Sequence, residues 1–500
     1  MKVVFSYAAH ENLGVEYLSA SLKRAGHSTS LVFDPQLFDD KFIKVEFLGK
    51  LYSVEKEIVK QILEKKPDLL ALSVVSGDLS WAYRIAKAVK AQTNVPILFG
   101  GIHPSSVPEK VLENDFVDYI IIGEGEKAIV ELANALGSKK NLAKKISKIH
   151  GLAYKTAGRV VKNKLSPPIQ DLDSLPFPDK ELFYSAAPFL KREYTIVTRR
   201  GCLNACTYCH NSIWKSLYGV ECSGIRLRSV KNVMKELREA YAKYKFNRLR
   251  INDDIFTSHK SWLKEFADAY SKEFNVPFWC YVSPTTVDDE TAELLKKAHC
   301  YQVSLGVQSI NPELRKKILH RYETNEQIAT AISALRKNNI RCITDNMLGL
   351  PEQEEDELLD LAKFYLKNRV DRICIYWLIY FPKTKIVDIA QVHGNITQKQ
   401  LDNIESEPIE SANTILNEYN NKKFIKYHLL LLATTLLPTK ITTWIIEKKI
   451  YEKFPAINPS IIENPITFFM NDRKEIERVR FVKRYLYYGI RIPFQKLLKF

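Results

Sequence analysis

The chain of 500 residues carries a formal net charge of +16 at pH 7, with 46% hydrophobic and 26% charged residues. This length is too great for one typical domain and predicts about two or three, and the composition allows each to bury a core. The longest apolar stretch, residues 429–437, ends at Pro438. It excludes a membrane-spanning helix, which needs roughly 20 apolar residues. The first residues enter a strand pattern without a signal-peptide region, so the eight cysteines are expected in a reducing, cytoplasmic compartment.

Apolar strands alternate with helical segments through residues 1–137. The strands are predicted at Lys2–Ser6, Ser30–Asp34, Pro67–Ser76, Val95–Gly100 and Tyr119–Gly123. This alternation predicts a doubly wound, Rossmann-like parallel sheet of about five strands, with ligands bound beyond the carboxyl ends of the strands.

Glycine-containing loops follow those strands. Their candidate ligand-binding residues are Leu13 and Gly14 at the first helix, Ser76 and Gly77, the loop with Gly100, Gly101 and His103, and the turn Gly123-Glu124-Gly125-Glu126. Such loops could bind a nucleotide, but no G-x-G-x-x-G follows the first strand, so a dinucleotide site is only weakly indicated.

Residues 138–190 are predicted to connect this domain to the next. They turn basic and then rich in proline, and residues 151–162 indicate a β-hairpin around Gly158.

Three cysteines at the spacing C-x3-C-x2-C follow the connector: Cys202, Cys206 and Cys209. Thiolates suit iron–sulfur clusters, and three of them can hold three irons of a [4Fe–4S] cluster, leaving the fourth iron open to a small molecule. A zinc site usually needs four protein ligands, and only His210 lies near enough in sequence to complete one. The other five cysteines are expected to be buried apolar residues.

This spacing, with Tyr208 before the last cysteine, resembles the signature of the radical S-adenosylmethionine (SAM) superfamily. The resemblance implies that the three cysteines hold a catalytic [4Fe–4S] cluster whose open iron chelates SAM. Reductive cleavage of SAM would then release a 5′-deoxyadenosyl radical, with flavodoxin or ferredoxin as the electron donor.

Strands and helices alternate again through residues 191–392 and predict a partial (β/α)6 barrel. The resemblance places contacts to SAM in the cluster loop and at the ends of the barrel strands. These are Tyr208, Asp253 or Asp254 after the second strand, Gln308 and Ser309 after the fourth, and Gly349 in the G-L-P turn after the fifth. Gln308 stands where many relatives carry Glu, and Lys383 replaces the usual Gly of a P-G-T motif.

The glycine loops of residues 1–137 resemble the cobalamin-binding domain that precedes many radical SAM barrels. The resemblance implies that residues of these loops contact cobalamin: Leu13, Gly14, Ser76, Gly77, Gly100, Gly101, His103, Gly123, Glu124 and Gly125. The D-x-H-x-x-G motif that supplies a cobalt-binding His elsewhere is missing, so the cobalamin is expected without a His ligand. A domain of this ancestry that binds no cobalamin stays an alternative, and His103 could equally brace its own loop.

Residues 393–500 are predicted to be basic and mainly helical. Lys and Arg exceed Asp and Glu by ten over residues 421–500, whereas residues 401–420 carry five net negative charges. Residues 478–488 and 491–500 mix basic with aromatic and apolar residues at helical spacing. They predict either a solvated face over a core stripe or peripheral contact with the inner face of a membrane, with RNA contact least favoured.

With both cofactors bound, the resemblance implies methylation of an unactivated carbon or phosphorus of a small-molecule or lipid-like substrate. A cobalamin-linked radical oxidoreductase or cyclase without methyl transfer is the alternative, and residue types do not separate the two. A tRNA methylthiotransferase would need a second cluster, yet no Cys precedes Cys202. A cobalamin or redox sensor with a vestigial barrel is disfavoured by the complete cysteine triplet.

Overall fold

The computed structural model describes residues 1–39, 45–138, 140–219, 224–406, 422–455 and 476–497. The first sheet has seven strands: β1 Lys2–Ala8, β2 Ser28–Asp34, β3 Leu69–Ser73, β4 Ile97–Gly100, β5 Tyr119–Ile121, β6 Leu152–Thr156 and β7 Arg159–Lys162. Their order is β2-β1-β3-β4-β5-β6-β7. The first five are parallel, which confirms the doubly wound fold.

Helices cover both faces of this sheet. They are α1 Leu13–Arg24, α2 Glu46–Tyr52, α3 Glu55–Glu64, α4 Leu79–Lys90, α5 Ile102–Ser106, α6 Pro108–Leu112, α7 Glu126–Ser138, α8 Leu142–Ile146 and α9 Glu181–Tyr184. Neighbouring residues of β1 bury into two separate cores, with Val4 in one and Val3 and Phe5 in the other. Burial on both faces explains the continuous apolar runs of the sequence.

The hairpin predicted in the connector is present, but it does not stand apart from the first sheet. Strand β6 pairs antiparallel with β5, and Tyr119 lies opposite Tyr154. The hairpin thereby covers a parallel edge whose backbone groups would otherwise lack partners. The sheet therefore has two strands more than the sequence predicted, and the domain boundary in this region stays a prediction.

A second, all-parallel sheet of six strands forms the predicted partial barrel. Its strands are β8 Glu193–Ile196, β11 Arg248–Ile251, β12 Phe278–Val282, β13 Cys300–Gln308, β14 Arg341–Leu348 and β15 Arg372–Trp377, in the order β15-β14-β13-β12-β11-β8. The surrounding helices are α10 His210–Tyr218, α11 Val230–Tyr244, α12 Lys260–Glu273, α13 Asp289–Lys297, α14 Pro312–Lys317, α15 Asn325–Lys337, α16 Glu355–Lys367 and α17 Lys385–Val392. Of the cysteines outside the motif, Cys280, Cys300 and Cys342 are buried and Cys374 is half-buried, while Cys222 lies outside the described residues.

Strand β8 ends at Ile196, before the chain reaches the cysteine loop. The backbone N–H groups of Thr198 and Arg199 donate to Asp253 Oδ1 at 2.7 and 3.3 Å. This carboxylate takes the place of a neighbouring strand and turns the chain away from the barrel. A two-residue strand, β9 Arg199–Arg200, then pairs antiparallel with β10 Arg226–Leu227.

The C-terminal region is helical where it is described, as predicted. Its helices are α18 Gln398–Ser406, α19 Lys422–Leu436, α20 Thr439–Glu447 and α21 Ile476–Leu497. Helix α19 contributes Phe424 and Leu430 to the barrel core. Within the described ranges, every helix is too short or too polar to cross a membrane.

Helix α21 lies against the first domain. Tyr485 Oη accepts a hydrogen bond from Phe38 N at 2.9 Å, and Tyr488 Oη donates to Ala186 O at 2.7 Å. Arg484, which is 6% exposed, donates to Ala9 O at 2.9 Å. Much of the aromatic face of this basic segment is therefore covered by the protein's own fold.

Candidate active site

The cysteine loop lies between β9 and α10 at the carboxyl end of the barrel. Cys206 is buried, and Cys202 and Cys209 are half-buried. Between them, fully buried Thr207 donates from its N–H to Leu319 O at 3.2 Å and from Oγ1 to Ile318 O at 2.6 Å. These bonds attach the loop to the barrel, so the three thiols are held in place by the fold.

The surroundings of the thiols fit an iron–sulfur cluster. Burial raises the pKa of Cys202 to about 11 and that of Cys209 to about 12, and the negative charge of Asp254 adds to both shifts. Without a cation the two thiols therefore stay protonated at pH 7, and metal binding would release their protons. Within the described ranges, no three His, Cys, Asp or Glu side chains converge on a single ion. In an iron–sulfur cluster each thiolate binds a different iron, so three thiols can hold three irons.

Arg321 places a buried positive charge beside the cluster loop. Its Nη1 lies 3.4 Å from Tyr208 Oη, its Nη2 donates to Gly306 O at 2.6 Å, and its Nε donates to Glu323 at 2.6 Å. Burial alone would lower the pKa of Arg321, but the charges of Tyr208, Glu323 and Cys206 outweigh it and raise the pKa. The sequence contained no signal for this residue, since a single Arg in a loop belongs to no periodic pattern.

The two aspartates after β11 have different surroundings. Asp253 is fully buried, forms an ion pair with Arg199 at 3.2 Å and accepts a hydrogen bond from Thr198 Oγ1. Asp254 is exposed at the mouth of the barrel. Although residue Asp254 reaches solvent, the protein atoms around its carboxylate desolvate it and raise its pKa, and a hydrogen bond with Asn211 of the helix after the cluster loop partly offsets this. Of the two predicted SAM contacts, Asp254 is therefore the one whose carboxylate can reach a ligand.

The remaining predicted SAM contacts lie at the ends of neighbouring strands. Gln308 is half-buried with φ 67°, and Gly349 has φ 77° and donates to Gln353 Oε1 at 2.8 Å. The hydroxyl of buried Ser309 already accepts from Asn311 N at 3.1 Å. The barrel brings these residues to the same edge as the cysteines, and their contacts to SAM stay predictions.

A cavity of about 290 Å³ opens at the carboxyl ends of the first sheet. The predicted residues that line it are Leu13, Gly14, Gly100, Gly101, Gly123, Glu124 and Gly125. Apolar side chains, among them Phe5, Leu98 and Ile129, form its walls. Glycines at strand ends let a flat ligand approach the backbone, and apolar walls favour an aromatic group, so the cavity fits part of a cobalamin. Among the described residues that line it there is no His, and the absence of a His ligand to cobalt stays a prediction.

Three predicted cobalamin contacts lie outside this lining: Ser76, Gly77 and His103. His103 is buried, and its Nδ1 lies 2.9 Å from Ser76 Oγ. Its Nε2 has no hydrogen-bond partner. Burial, with a smaller effect from the charge of His210, lowers the pKa of His103 to about 4. A bracing contact with Ser76 is therefore present, and a contact with a cofactor stays a prediction.

The cavity also borders the barrel, since Val197 and Arg200 line it. Helix α10 reaches the same place. Tyr218 Oη accepts a hydrogen bond from Glu124 N at 2.9 Å, and a Cβ on Gly123 would lie 1.9 Å from that oxygen. Tyr218 therefore leaves no room for a side chain at position 123. The sequence alone could not indicate this contact between the two domains.

Comparisons with known proteins agree with this arrangement. Residues 3–133 match the B12 binding domain, and residues 196–365 match the Radical SAM superfamily. An uncharacterized methyltransferase of Pyrococcus horikoshii is 26% identical over 387 residues, which cover 76% of this chain and 78% of that protein. The anaerobic magnesium-protoporphyrin IX monomethyl ester cyclase of Rubrivivax gelatinosus is 25% identical over 403 residues, covering 76% and 68%.

The fold also resembles solved structures. The radical SAM methyltransferase TsrM from Kitasatospora setae, solved with cobalamin and a [4Fe–4S] cluster, superimposes with a TM-score of 0.62 at 18% identity, covering 78% of this chain and 75% of that one. Fold and site together define a radical SAM protein with a cobalamin-type domain ahead of its barrel. Residues 196–365 form a domain of the radical SAM superfamily and residues 3–133 form a B12-binding domain, and the cofactors of this class are the predicted [4Fe–4S] cluster, SAM and cobalamin.

Proposed function

We propose that this chain is a cobalamin-dependent radical SAM methyltransferase that acts on an unactivated carbon of a small molecule. The observation that carries the proposal is the shared position of its two sites. Arg200 lines the cavity of the first domain and precedes Cys202 by two residues. A cobalamin in the cavity and a cluster on the three cysteines would therefore face the same space between the domains.

Different residues of the chain would bind each cofactor. Cys202, Cys206 and Cys209 would hold the cluster, Asp254 and Gln308 would orient SAM, and the glycine loops would hold cobalamin. When bound, the cluster with SAM supplies a 5′-deoxyadenosyl radical, and cobalamin carries the methyl group. The protein positions these groups and excludes water from the space between them. Arg321 supports this role by holding a fixed positive charge beside thiolates that would otherwise be costly to bury.

Anaerobic reconstitution with iron, sulfide and hydroxocobalamin tests the proposal. We expect about four irons and one cobalt per chain and, with SAM and a reductant, formation of 5′-deoxyadenosine. Cys206→Ala should abolish 5′-deoxyadenosine and keep the cobalt. Cys342→Ala, which removes a thiol elsewhere in the barrel, should keep both.

Each other outcome has a definite meaning. Persistent SAM cleavage in Cys206→Ala would show that the cluster assignment is wrong. Four irons without cobalt would exclude methyl transfer and leave a SAM-cleaving oxidoreductase.

A cyclase or oxidoreductase without methyl transfer is the second candidate, because anaerobic magnesium-protoporphyrin IX monomethyl ester cyclases are among the relatives. Methyl-labelled SAM separates the two when the reconstituted protein is incubated with a small-molecule extract. A new product that carries the label supports methyl transfer, and a new product without it supports the second candidate.

The predicted partners belong to the same proposal. Flavodoxin or ferredoxin would supply the electron, and a lipid-like substrate would explain a role for the basic C-terminal region at a membrane surface. Exposed Leu486 of α21 and Phe47 and Leu51 of the adjoining helix α2 support such contact. Co-sedimentation with anionic vesicles tests it, and failure to bind them would exclude this part of the proposal.

A further inference from the structure

Four charged side chains connect the first domain to the barrel, and we name them the interdomain clamp: Glu124, Glu126, Arg200 and Arg226. Arg200 donates to Glu126 Oε1 at 2.5 Å and lies 3.2 Å from Glu124 Oε1. Arg226 contacts both oxygens of Glu124, at 2.8 and 3.0 Å. The charges of the four groups balance, with two carboxylates and two guanidinium groups.

Both carboxylate oxygens of Glu124 are engaged within the protein. Glu124 Oε2 also accepts from Ile169 N at 2.7 Å, and Arg226 Nη1 donates to Ile169 O at 2.7 Å. Burial alone would raise the pKa of Glu124, but the bonds and charges of Arg226 and Arg200 lower it. Glu124 was predicted to contact cobalamin. Its carboxylate oxygens instead accept hydrogen bonds from Arg226 of the barrel and Ile169 of the connector.

The clamp lies between the cavity of the first domain and the cysteine loop. Its carboxylates belong to the glycine turn that lines the cavity, and its arginines belong to the paired strands β9 and β10. Strand β9 leads directly into the cluster loop through Gly201, where a Cβ would lie 2.8 Å from Gly224 O. Because Gly201 packs so closely on the chain that precedes β10, a shift of Arg200 would be passed on to Cys202.

The clamp is shielded from solvent. The exposed fractions of its side chains are 20% for Arg200, 16% for Glu124, 14% for Arg226 and 9% for Glu126. Ion pairs at this depth add little net stability compared with apolar packing, so we assign these four side chains a role in orientation. Planar guanidinium groups add to this because they bind carboxylates in a fixed orientation.

We propose that the interdomain clamp sets the spacing between the cobalamin cavity and the cluster loop, and that Glu124 and Glu126 are positioning residues instead of cofactor contacts. This inference rests on the proposed function, since it requires both cofactors to bind. Loss of the clamp is expected to leave each cofactor in its own domain while the geometry between them becomes variable.

The test uses the full chain, reconstituted with iron, sulfide and hydroxocobalamin and then reduced. The variant combines Glu124→Gln with Glu126→Gln. A second variant, Arg200→Lys, keeps the charge but loses the two guanidinium nitrogens that bridge Glu124 and Glu126. The control is Glu131→Gln, on the same helix α7, which removes a carboxylate paired with Lys127 at 3.8 Å on the surface. Pulsed electron paramagnetic resonance measures the distance distribution between the reduced cluster and cob(II)alamin.

In the double variant we expect unchanged iron and cobalt content, with a distance distribution at least about twofold broader, and an intermediate effect in Arg200→Lys. Hydrogen exchange should accelerate about tenfold or more in residues 120–128 and 197–203 together, because the turn and β9 lose a common restraint. Glu131→Gln should behave as the wild type in both measurements.

Two results would overturn the inference. Loss of cobalt with intact iron in the double variant would make Glu124 or Glu126 a cofactor contact. An unchanged distance distribution would mean that the clamp does not set the spacing. If the wild type itself binds no cobalt, the proposed function fails, and hydrogen exchange alone then decides whether the clamp couples the two segments.

Discussion

At the scale of single residues, the adjacent aspartates after β11 show that burial decides the role of a side chain. Asp253 and Asp254 have the same chemistry and the same place in the sequence motif. One carboxylate is enclosed by Arg199 and two backbone N–H groups, whereas the other is exposed near the cysteines. A sequence motif could name the pair but could not choose between its members.

Replacing Asp253 should affect stability, whereas replacing Asp254 should affect SAM binding. Asp253→Asn leaves the buried Arg199 without its counter-charge and should lower the free energy of unfolding by about 3–5 kcal/mol. Asp254→Asn should change stability by less than about 0.5 kcal/mol but weaken SAM binding about tenfold or more, because a charge-assisted hydrogen bond is lost. Urea unfolding measures the stability of both variants, and calorimetric titration with SAM measures their affinity for SAM. Equal SAM affinity in Asp254→Asn and the wild type would exclude it as a SAM contact.

His103 should make stability depend on pH. Its pKa falls from 6.5 to about 4 in the folded state, so the unfolded chain binds more protons below pH 6.5. Stability is therefore lost as the pH falls from about 6.5 towards 4, with a loss near 2 kcal/mol between pH 7 and pH 5. Urea unfolding of the apoprotein at both pH values measures it. His103→Gln should remove this share of the difference, and the same pH dependence in the variant would contradict the assignment.

At the scale of elements, the contact between helix α10 and the glycine turn joins the two domains. The alternation of strands and helices predicted the partial (β/α)6 barrel, because each strand and each helix is a local pattern. The break after Ile196 could not be predicted in this way, since its cause is a carboxylate located 55 residues further along the chain.

Gly123→Ala should disturb this contact. The new Cβ would lie 1.9 Å from Tyr218 Oη, and the residue has φ 89°, which costs an L-residue about 1–2 kcal/mol. Combining it with Tyr218→Ala should recover the part of the loss due to the clash and keep the part due to the backbone. A double-mutant cycle of unfolding free energies separates the two parts. Strictly additive losses would show that Tyr218 does not occupy this position.

At the scale of the whole molecule, a buried ionic group ties the first domain, the connector and the barrel together. Lys180 of the connector lies 3.0 Å from Glu11 and 2.8 Å from Glu16, and the exposed fractions of the three side chains are 1%, 3% and 0%. Thr195 of β8 donates to the other oxygen of Glu11 at 3.1 Å. Burial raises the pKa of Glu16 well above its usual value, although the charge of Lys180 opposes the shift.

Lys180→Met should lower the free energy of unfolding by about 3–5 kcal/mol at pH 7, because two buried carboxylates lose their cation. The loss should shrink as the pH falls, since protonation removes their repulsion. Lys23→Met is the matched control, because Lys23 pairs with Asp179 at 2.6 Å but is 46% exposed, and it should cost at most about 1 kcal/mol. Equal losses in the two variants would contradict this reading of the group.

The sequence by itself determined the cluster motif, the glycine loops and the alternation of strands and helices. Each of these is a local pattern, written within a few residues or within one element. Only the tertiary structure decided which aspartate is open, that the hairpin belongs to the first sheet, and that Arg200, Arg321 and Lys180 matter. Their partners lie 74, 113 and 169 residues away in sequence. Such pairs depend on which surfaces the folded chain brings together, and they leave no periodic pattern in the segments that supply them.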